Sequence, residues 1–216
     1  LESRIDFSRI GRAIESGALH SISITCSGYS SGQSVSFFQG RADIAPWRRS
    51  QRVGAPAEIS LDHLMASSAI PFIFPAVHLN REWFGDGSMR QVAPVAPAIR
   101  LGADKILVIG AGRMADENAR PRAEIYPSLA QIAGHALSSI FLDSMSVDLE
   151  RMNRINTTLS LIPDTVRRDK GTTLRPIEVL TIAPSQRLDH LAARHAQALP
   201  WPVRALLRGI GAMNQN

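Results

Sequence analysis

Apolar residues change spacing several times along the chain, and each change marks an element. Ile5, Ile10, Ala13 and Ile14 stand at helical intervals with polar residues between, which predicts an amphipathic helix over 5–19 ending near Gly17. Residues 21–25 and 33–39 alternate apolar and polar, the period of a half-buried strand. The connector Gly28-Tyr29-Ser30-Ser31-Gly32 has turn chemistry, so the two strands read as a hairpin or close neighbours. Residues 41–57 carry Pro46, Pro56 and several arginines and read as a loop. A helix starts at Ser60, a candidate N-cap, and must stop before Pro71.

Residues 82–84 read as a short strand running into Asp86. Residues 94–101 read as a helix with proline in its first turn and Gly102 at its end, and 105–109 as a buried, β-branched strand. Strand, loop, helix and strand together predict a β-α-β unit with Asp86 at the C-terminal end of its first strand, the edge where such sheets bind ligands. Further on, 114–126 read as a loop, 127–155 as a long helix, 157–162 as a strand, 164–175 as a charged loop and 177–182 as a strand. Helices are expected over 188–198 and 201–210. The domain reading is one α/β unit over 1–182 with a basic helical extension over 183–216.

Composition changes this picture little. The 216 residues are 44% hydrophobic and 20% charged, an ordinary globular balance with enough apolar mass for one core. Charge is uneven. Residues 151–216 hold ten Lys and Arg against four Asp and Glu, so the net +5 resides in the C-terminal third. A solvated basic face is the plain account, and contact with an anionic membrane surface the functional one. Nucleic acid is disfavoured because aromatics are sparse there and no binding motif appears. The single cysteine, Cys26, excludes an internal disulfide and a cysteine-cluster zinc site and fits a reducing compartment, so a cytoplasmic location with membrane association is expected. No apolar run approaches the roughly 20 residues of a membrane span. Residue 1 is Leu and the first 14 residues already read as helix, so the sequence is expected to be cut from a longer polypeptide.

Two motifs match familiar patterns without their context. Gly28-Tyr29-Ser30-Ser31-Gly32 fits G-x-S-x-G, but a nucleophile elbow needs a helix after it and here a strand follows. Gly110 to Ala115 fits a dinucleotide fingerprint, yet the following residues lead to Pro121 and no acid-ended strand follows at the right distance. The six histidines show no metal spacing, since His190 and His195 are five apart. No cofactor or metal is expected.

The remaining candidate is Gly85-Asp86-Gly87-Ser88. A carboxylate between two glycines is poorly suited to a helix, and an ordinary Asp-Gly turn is its simplest account. The neighbouring blocks add to it. The run from Asp62 through Ala66-Ser67-Ser68-Ala69-Ile70-Pro71 to Phe74-Pro75-Ala76-Val77, then Phe84-Gly85-Asp86-Gly87-Ser88, then Pro94 through Leu101-Gly102-Ala103-Asp104 to Ile109, resembles three ordered blocks of the patatin-like phospholipases, and the more diverged flanks, 1–39 and 127–216, are consistent with the family's bacterial branch.

The resemblance implies an α/β fold with a parallel-rich central sheet flanked by helices. It implies a lipid acyl hydrolase of the Ser-Asp dyad type, with Asp86 as the catalytic base and Gly85, Gly87 and Ser88 supporting it. Chemically, a serine hydroxyl needs an adjacent base, a carboxylate can serve when partly desolvated, and flanking glycines let the serine come close. Ser88 stands where the family usually has Gly or Ala, and Gln91 where it often has Asn; Gln91 is expected to make a structural hydrogen bond. The family's glycine-rich oxyanion loop and serine elbow have no counterpart here, so the first strands of the fold and the nucleophile are expected to lie outside this chain. The isolated piece is then expected to be inactive, with exposed apolar surface. Its expected partners are a lipid or acyl-ester substrate and anionic membrane. A non-catalytic module using the basic third to bind membrane or protein is the alternative.

Overall fold

A computed structural model of the chain describes residues 4–71, 73–110, 129–169, 174–185, 194–201 and 204–205. Its elements are α1 (Ser8–Glu15), β1 (Ser21–Gly28), β2 (Ser34–Gly40), β3 (Trp47–Arg49), β4 (Arg52–Pro56), α2 (Leu61–Ser67), β5 (Val77–Leu79), β6 (Glu82–Asp86), α3 (Ala96–Arg100), β7 (Lys105–Ile109), α4 (Leu129–Ser160), α5 (Asp164–Asp169) and β8 (Glu178–Ile182). Two short 3-10 turns cover Gly87–Arg90 and Ala196–Ala198. Among the described residues no helix is long and apolar enough to cross a membrane.

Six strands form one sheet in the order β3-β4-β2-β1-β6-β5, and β7 and β8 form a separate parallel pair. The α/β class therefore holds, while the expected parallel-rich sheet does not. In the large sheet only β2–β4 is parallel, and the other four pairings are antiparallel. For three of the four the reason is connection length: antiparallel neighbours need only short turns, and β1–β2, β3–β4 and β5–β6 are joined by them. β1 and β2 are joined through Gly32 at φ +63, and β5 and β6 through Asn80 at φ +54, left-handed positions that suit glycine and asparagine.

The expected β-α-β unit is corrected for the same reason. β6 is the second strand of a β5–β6 hairpin and pairs on its other side with β1. β7 pairs with β8 instead, so α3 crosses from one sheet to another. The strand β7 is less buried than its apolar sequence suggests: Val108 is buried, but Leu107 is 55% and Ile109 74% exposed.

Two loops prove to hold structure. The stretch 41–57 contains β3 and β4, held by Trp47, which stacks on Phe38 at 5.1 Å and lies so close over Gly54 that a Cβ there would sit 2.2 Å from the indole. The charged stretch after Pro163 holds α5. The strand expected over 157–162 is instead the last turn of α4. Thr157 and Thr158 return their hydroxyls to the carbonyls of Asn153 and Arg154, at 3.0 and 2.9 Å, and Leu159 is buried. Packing overrides the β preference of threonine there. The expected 114–126 loop and most of the 183–216 extension lie outside the described residues.

Two cores result. Cys26, Val35, Phe37, Ile59, Ala66, Leu79 and Phe84 fill the space between the large sheet and α2, with Phe7 and Ile10 of the α1 region packed against them. Val95, Val108, Leu149, Met152 and Ile177 fill a second cluster between α4 and the β7–β8 pair. Asn156 fastens that layer: its amide donates to the Ile177 carbonyl at 2.7 Å and accepts from the Ile177 N–H at 3.0 Å.

Candidate functional site

Asp86 ends β6 and opens the 3-10 turn. Its N–H donates to the Ala69 carbonyl at 3.1 Å, which ties the strand end to the segment after α2. Its Oδ1 accepts from the Ser88 N–H at 2.9 Å, so one carboxylate oxygen caps the turn. The residue is 9% exposed. Oδ2 makes no hydrogen bond to any described residue and is not among the sealed, unpartnered polar atoms. The carboxylate is thus fixed by one oxygen and has the other free to accept.

The flanking glycines serve the fold in a way the spacing did not reveal. Neither has a left-handed φ, so conformational freedom is not their use. A Cβ on Gly87 would lie 2.1 Å from the Thr25 carbonyl oxygen of β1, a collision with backbone that cannot relax. A Cβ on Gly85 would meet the Tyr29 ring and hydroxyl at 2.6–3.0 Å. Both glycines let elements of this same chain close over the strand end. Ser88 contributes its backbone N–H. Gln91, expected to make a structural hydrogen bond through its side chain, makes none to the described residues; its backbone N–H reaches the Ser88 carbonyl at 3.4 Å.

A cleft of about 860 Å³ opens beside this turn. Gly87, Ser88 and Gln91 form one wall, Leu19 to Thr25 the floor, Leu64 and Ser67 of α2 one end, and Pro94, Pro97, Ala98 and Leu101 the opposite side. Asp86 sits behind Gly87 rather than on the open wall. The floor is unusual for a sheet. β1 pairs with β6 only from Cys26 to Gly28, whereas Ser21 to Thr25 pair only with β2. One edge of that half-strand therefore faces the cleft with no strand beside it among the described residues. The Thr25 carbonyl takes the Ser67 hydroxyl at 2.8 Å, and the Ser23 hydroxyl is sealed without a partner.

The electrostatics of the strand end register on its neighbours. Burial first, and the Asp86 carboxylate second, push the Cys26 thiol up to about 12, so Cys26 stays a neutral core residue. His63 of α2 is buried against the edge of Phe37 and accepts the Ser60 N–H on Nδ1 at 3.2 Å. Burial holds its pKa below the usual histidine value, so it serves as a neutral cap.

The rejected serine motif lies where its pattern placed it, in the β1–β2 hairpin, with the backbone N–H of Ser30 held by Glu82 at 2.7 Å. β2 follows it directly. The Gly110 to Ala115 motif falls outside the described residues after Gly110. Ser68 returns its hydroxyl to the Leu64 carbonyl at 2.7 Å, and Ser27 reaches the Gly87 carbonyl at 3.3 Å. Among the described residues no serine side chain hydrogen-bonds to Asp86, and no group of histidine, cysteine or acidic side chains could hold a metal. The cleft floor and the α3 wall were not singled out from sequence, since only the turn of the chain after Asp86 brings them together.

A family model described as patatin-like phospholipase matches residues 8–99, which span α1 to most of α3 and include Asp86 and the cleft floor. No curated protein and no solved structure matches the chain.

Proposed function

We propose, on the premise that the chain belongs through residues 8–99 to the patatin-like phospholipase family, that it is the base-bearing part of a serine lipid acyl hydrolase, with Asp86 as the base. The family supplies the reaction class, hydrolysis of lipid acyl esters. The observation that carries the assignment to Asp86 is its divided carboxylate: Oδ1 is anchored by Ser88 while Oδ2 makes no hydrogen bond to a described residue, and the next residue, Gly87, lines the cleft.

The chemistry follows. A serine hydroxyl attacks the ester carbonyl carbon as its proton passes to Asp86 Oδ2. The tetrahedral intermediate collapses, and the leaving alkoxide takes that proton from Asp86. Water then cleaves the acyl-serine, with Asp86 accepting the water proton and returning it to the serine oxygen. Asp86 needs no rotation in these steps, because the Ser88 N–H holds the carboxylate throughout.

The serine is assigned to polypeptide outside these residues. The nearby Ser27, Ser67 and Ser68 hydroxyls are all directed to backbone carbonyls. The unpaired edge of Ser21 to Thr25 supports this assignment, since it presents main-chain groups on which a further strand can add beside Asp86. The apolar part of the cleft, from Ile22 and Ile24 to Pro97 and Leu101, suits an acyl chain entering beside that strand.

Two measurements test the reading. The 216-residue chain alone is expected to give no turnover of a chromogenic acyl ester and no labelling by a fluorophosphonate. A longer polypeptide that also carries the serine is expected to be active, and Asp86→Asn in it to lower kcat by at least about 100-fold with little change in KM. Labelling of the short chain at Ser30 or Ser68, or an Asp86→Asn variant of full activity, overturns the assignment.

A further inference from the structure

Beyond the Asp86 turn lies a second, smaller cavity of about 70 Å³. Three arginines line it: Arg49 and Arg52 from the β3–β4 hairpin and Arg100 from the end of α3. Ser34 and Gln91 supply a hydroxyl and an amide on the remaining sides. No acidic residue is in the lining. Among the described residues none of the three arginines forms an ion pair. The carboxylate that senses Arg52, Asp148, is engaged by the Val95 N–H at 3.1 Å.

The arrangement is unfavourable as it stands. Arg49 and Arg52 are directly opposite each other in the β3–β4 register, and like charges so placed repel. The turn between them places Gln51 at φ +58, a region that non-glycine residues enter at some cost. The Gln51 carbonyl, accepting the Ser34 N–H at 2.8 Å, holds that turn against β2. Arg49 and Arg100 are exposed and Arg52 is half-buried, so the recess is open to solvent. Arg49 and Arg52 line it together with Arg100 from a different element.

We propose that this recess binds a phosphate oxyanion. Guanidinium groups match phosphate oxygens with paired, charge-assisted hydrogen bonds, and three of them can serve the separate oxygens of a tetrahedral group. A planar carboxylate, with one charge and two oxygens, leaves most of these donors unused. The volume suits a small oxyanion and is too small for an acyl chain. Bound phosphate also removes the repulsion between Arg49 and Arg52.

Gln91 and Pro97 line both this recess and the large cleft, so a phosphate held here lies one side chain from the Asp86 turn. The group is either free phosphate or the headgroup phosphate of a lipid. Binding itself does not depend on Asp86 being a base. Only the statement that the phosphate belongs to the same molecule as the cleaved ester rests on the proposed function.

The test uses the 216-residue chain, with inorganic phosphate titrated at constant ionic strength and followed by phosphorus NMR and by the thermal midpoint. Saturable binding and a rise in midpoint are expected for the parent chain. R100Q and the double variant R49Q/R52Q are expected to weaken binding at least tenfold while melting, in chloride, no lower than the parent. R41Q, whose partner is the exposed Asp43, is expected to bind as the parent does. If the double variant does not fold, R100Q alone decides. Dihexanoyl phosphatidylglycerol below its micellar concentration forms the second arm. Binding at least tenfold tighter than inorganic phosphate identifies a lipid headgroup, and equal binding identifies free phosphate. No saturable binding of either probe, or equal binding by parent and arginine variants, overturns the proposal. In the longer polypeptide that also carries the serine, loss of esterase activity in Asp86→Asn with phosphate binding intact separates this site from the catalytic assignment.

Discussion

The large sheet and the β7–β8 pair solve the same problem with different success. The sheet is built from hairpins and short connections and covers one face with α2, so its core from Cys26 to Phe84 is closed. The pair is parallel and packs one face on α4 through Val108, Leu149 and Met152. On its other face Lys105 pairs with Glu178 at 2.9 Å, and the opposed pairs Leu107–Leu180 and Ile109–Ile182 stand exposed. Parallel strands ordinarily have both faces covered. The difference teaches that the large sheet closes its core with its own short connections and is left open only along the Ser21 to Thr25 edge, whereas the parallel pair is organised for more protein than the described residues supply.

The largest expected effect lies in the closed region. Gly87→Ala drives a Cβ against the Thr25 carbonyl at 2.1 Å, where backbone must move, and is expected to cost about 3 kcal/mol or more by urea denaturation. A loss below about 1 kcal/mol would mean that the β1–β6 contact is looser than the geometry describes. In the open region, Asn156→Ala removes both hydrogen bonds to Ile177 and leaves its buried backbone groups unpaired, for an expected loss of about 1–3 kcal/mol. Hydrogen exchange should then rise in β7 and β8 while the large sheet keeps its protection. A uniform rise would show that the two regions unfold as one.

Acidity separates the regions by sign. Burial lowers the folded-state pKa of His63, so below about pH 6.5 the unfolded chain takes up a proton that the folded chain refuses. The His63 contribution is complete above that pH and is lost as pH falls toward the folded value. His63→Gln is expected to flatten stability against pH in that window. Asp148 is the opposite case. Burial, its largest influence, raises its pKa from 3.8 against the Val95 N–H and the nearby arginines. The folded chain therefore holds a proton that the unfolded chain has released, and stability falls as pH rises through 3.8 to the folded value. Asp148→Asn is expected to remove that slope. The smallest effect is at the bare face. Leu107→Thr is expected to change stability by less than about 0.5 kcal/mol while lowering self-association in sedimentation, because the residue is 55% exposed.

Much of this was legible because local chemistry carried it. The helix of α1, the β1–β2 hairpin, the Ser60 cap of α2, the short α3 and the strand β8 each follow from period and punctuation at nearby positions. The resemblance to the patatin-like phospholipases was legible too, because its blocks run through contiguous residues, and the family model matches residues 8–99. Errors arose wherever a distant partner decided. Thr157 and Thr158 are helical because α4 continues to clamp Ile177 through Asn156. The β3 and β4 strands exist because Trp47 finds Phe38 and Gly54.

The sequence by itself determined which residues could do chemistry, above all a carboxylate displayed between two small residues at a strand end. Spacing along the chain is enough for that, since it limits local backbone and side-chain reach. Tertiary structure alone decided how that group is held. It divided the Asp86 carboxylate into one anchored and one free oxygen, and gave Gly87 its reason in the Thr25 carbonyl. It also turned β6 away from β7 and brought Arg49, Arg52 and Arg100 around one recess. Strand pairing and cavities are relations between distant segments, and the order of residues within each segment does not contain them.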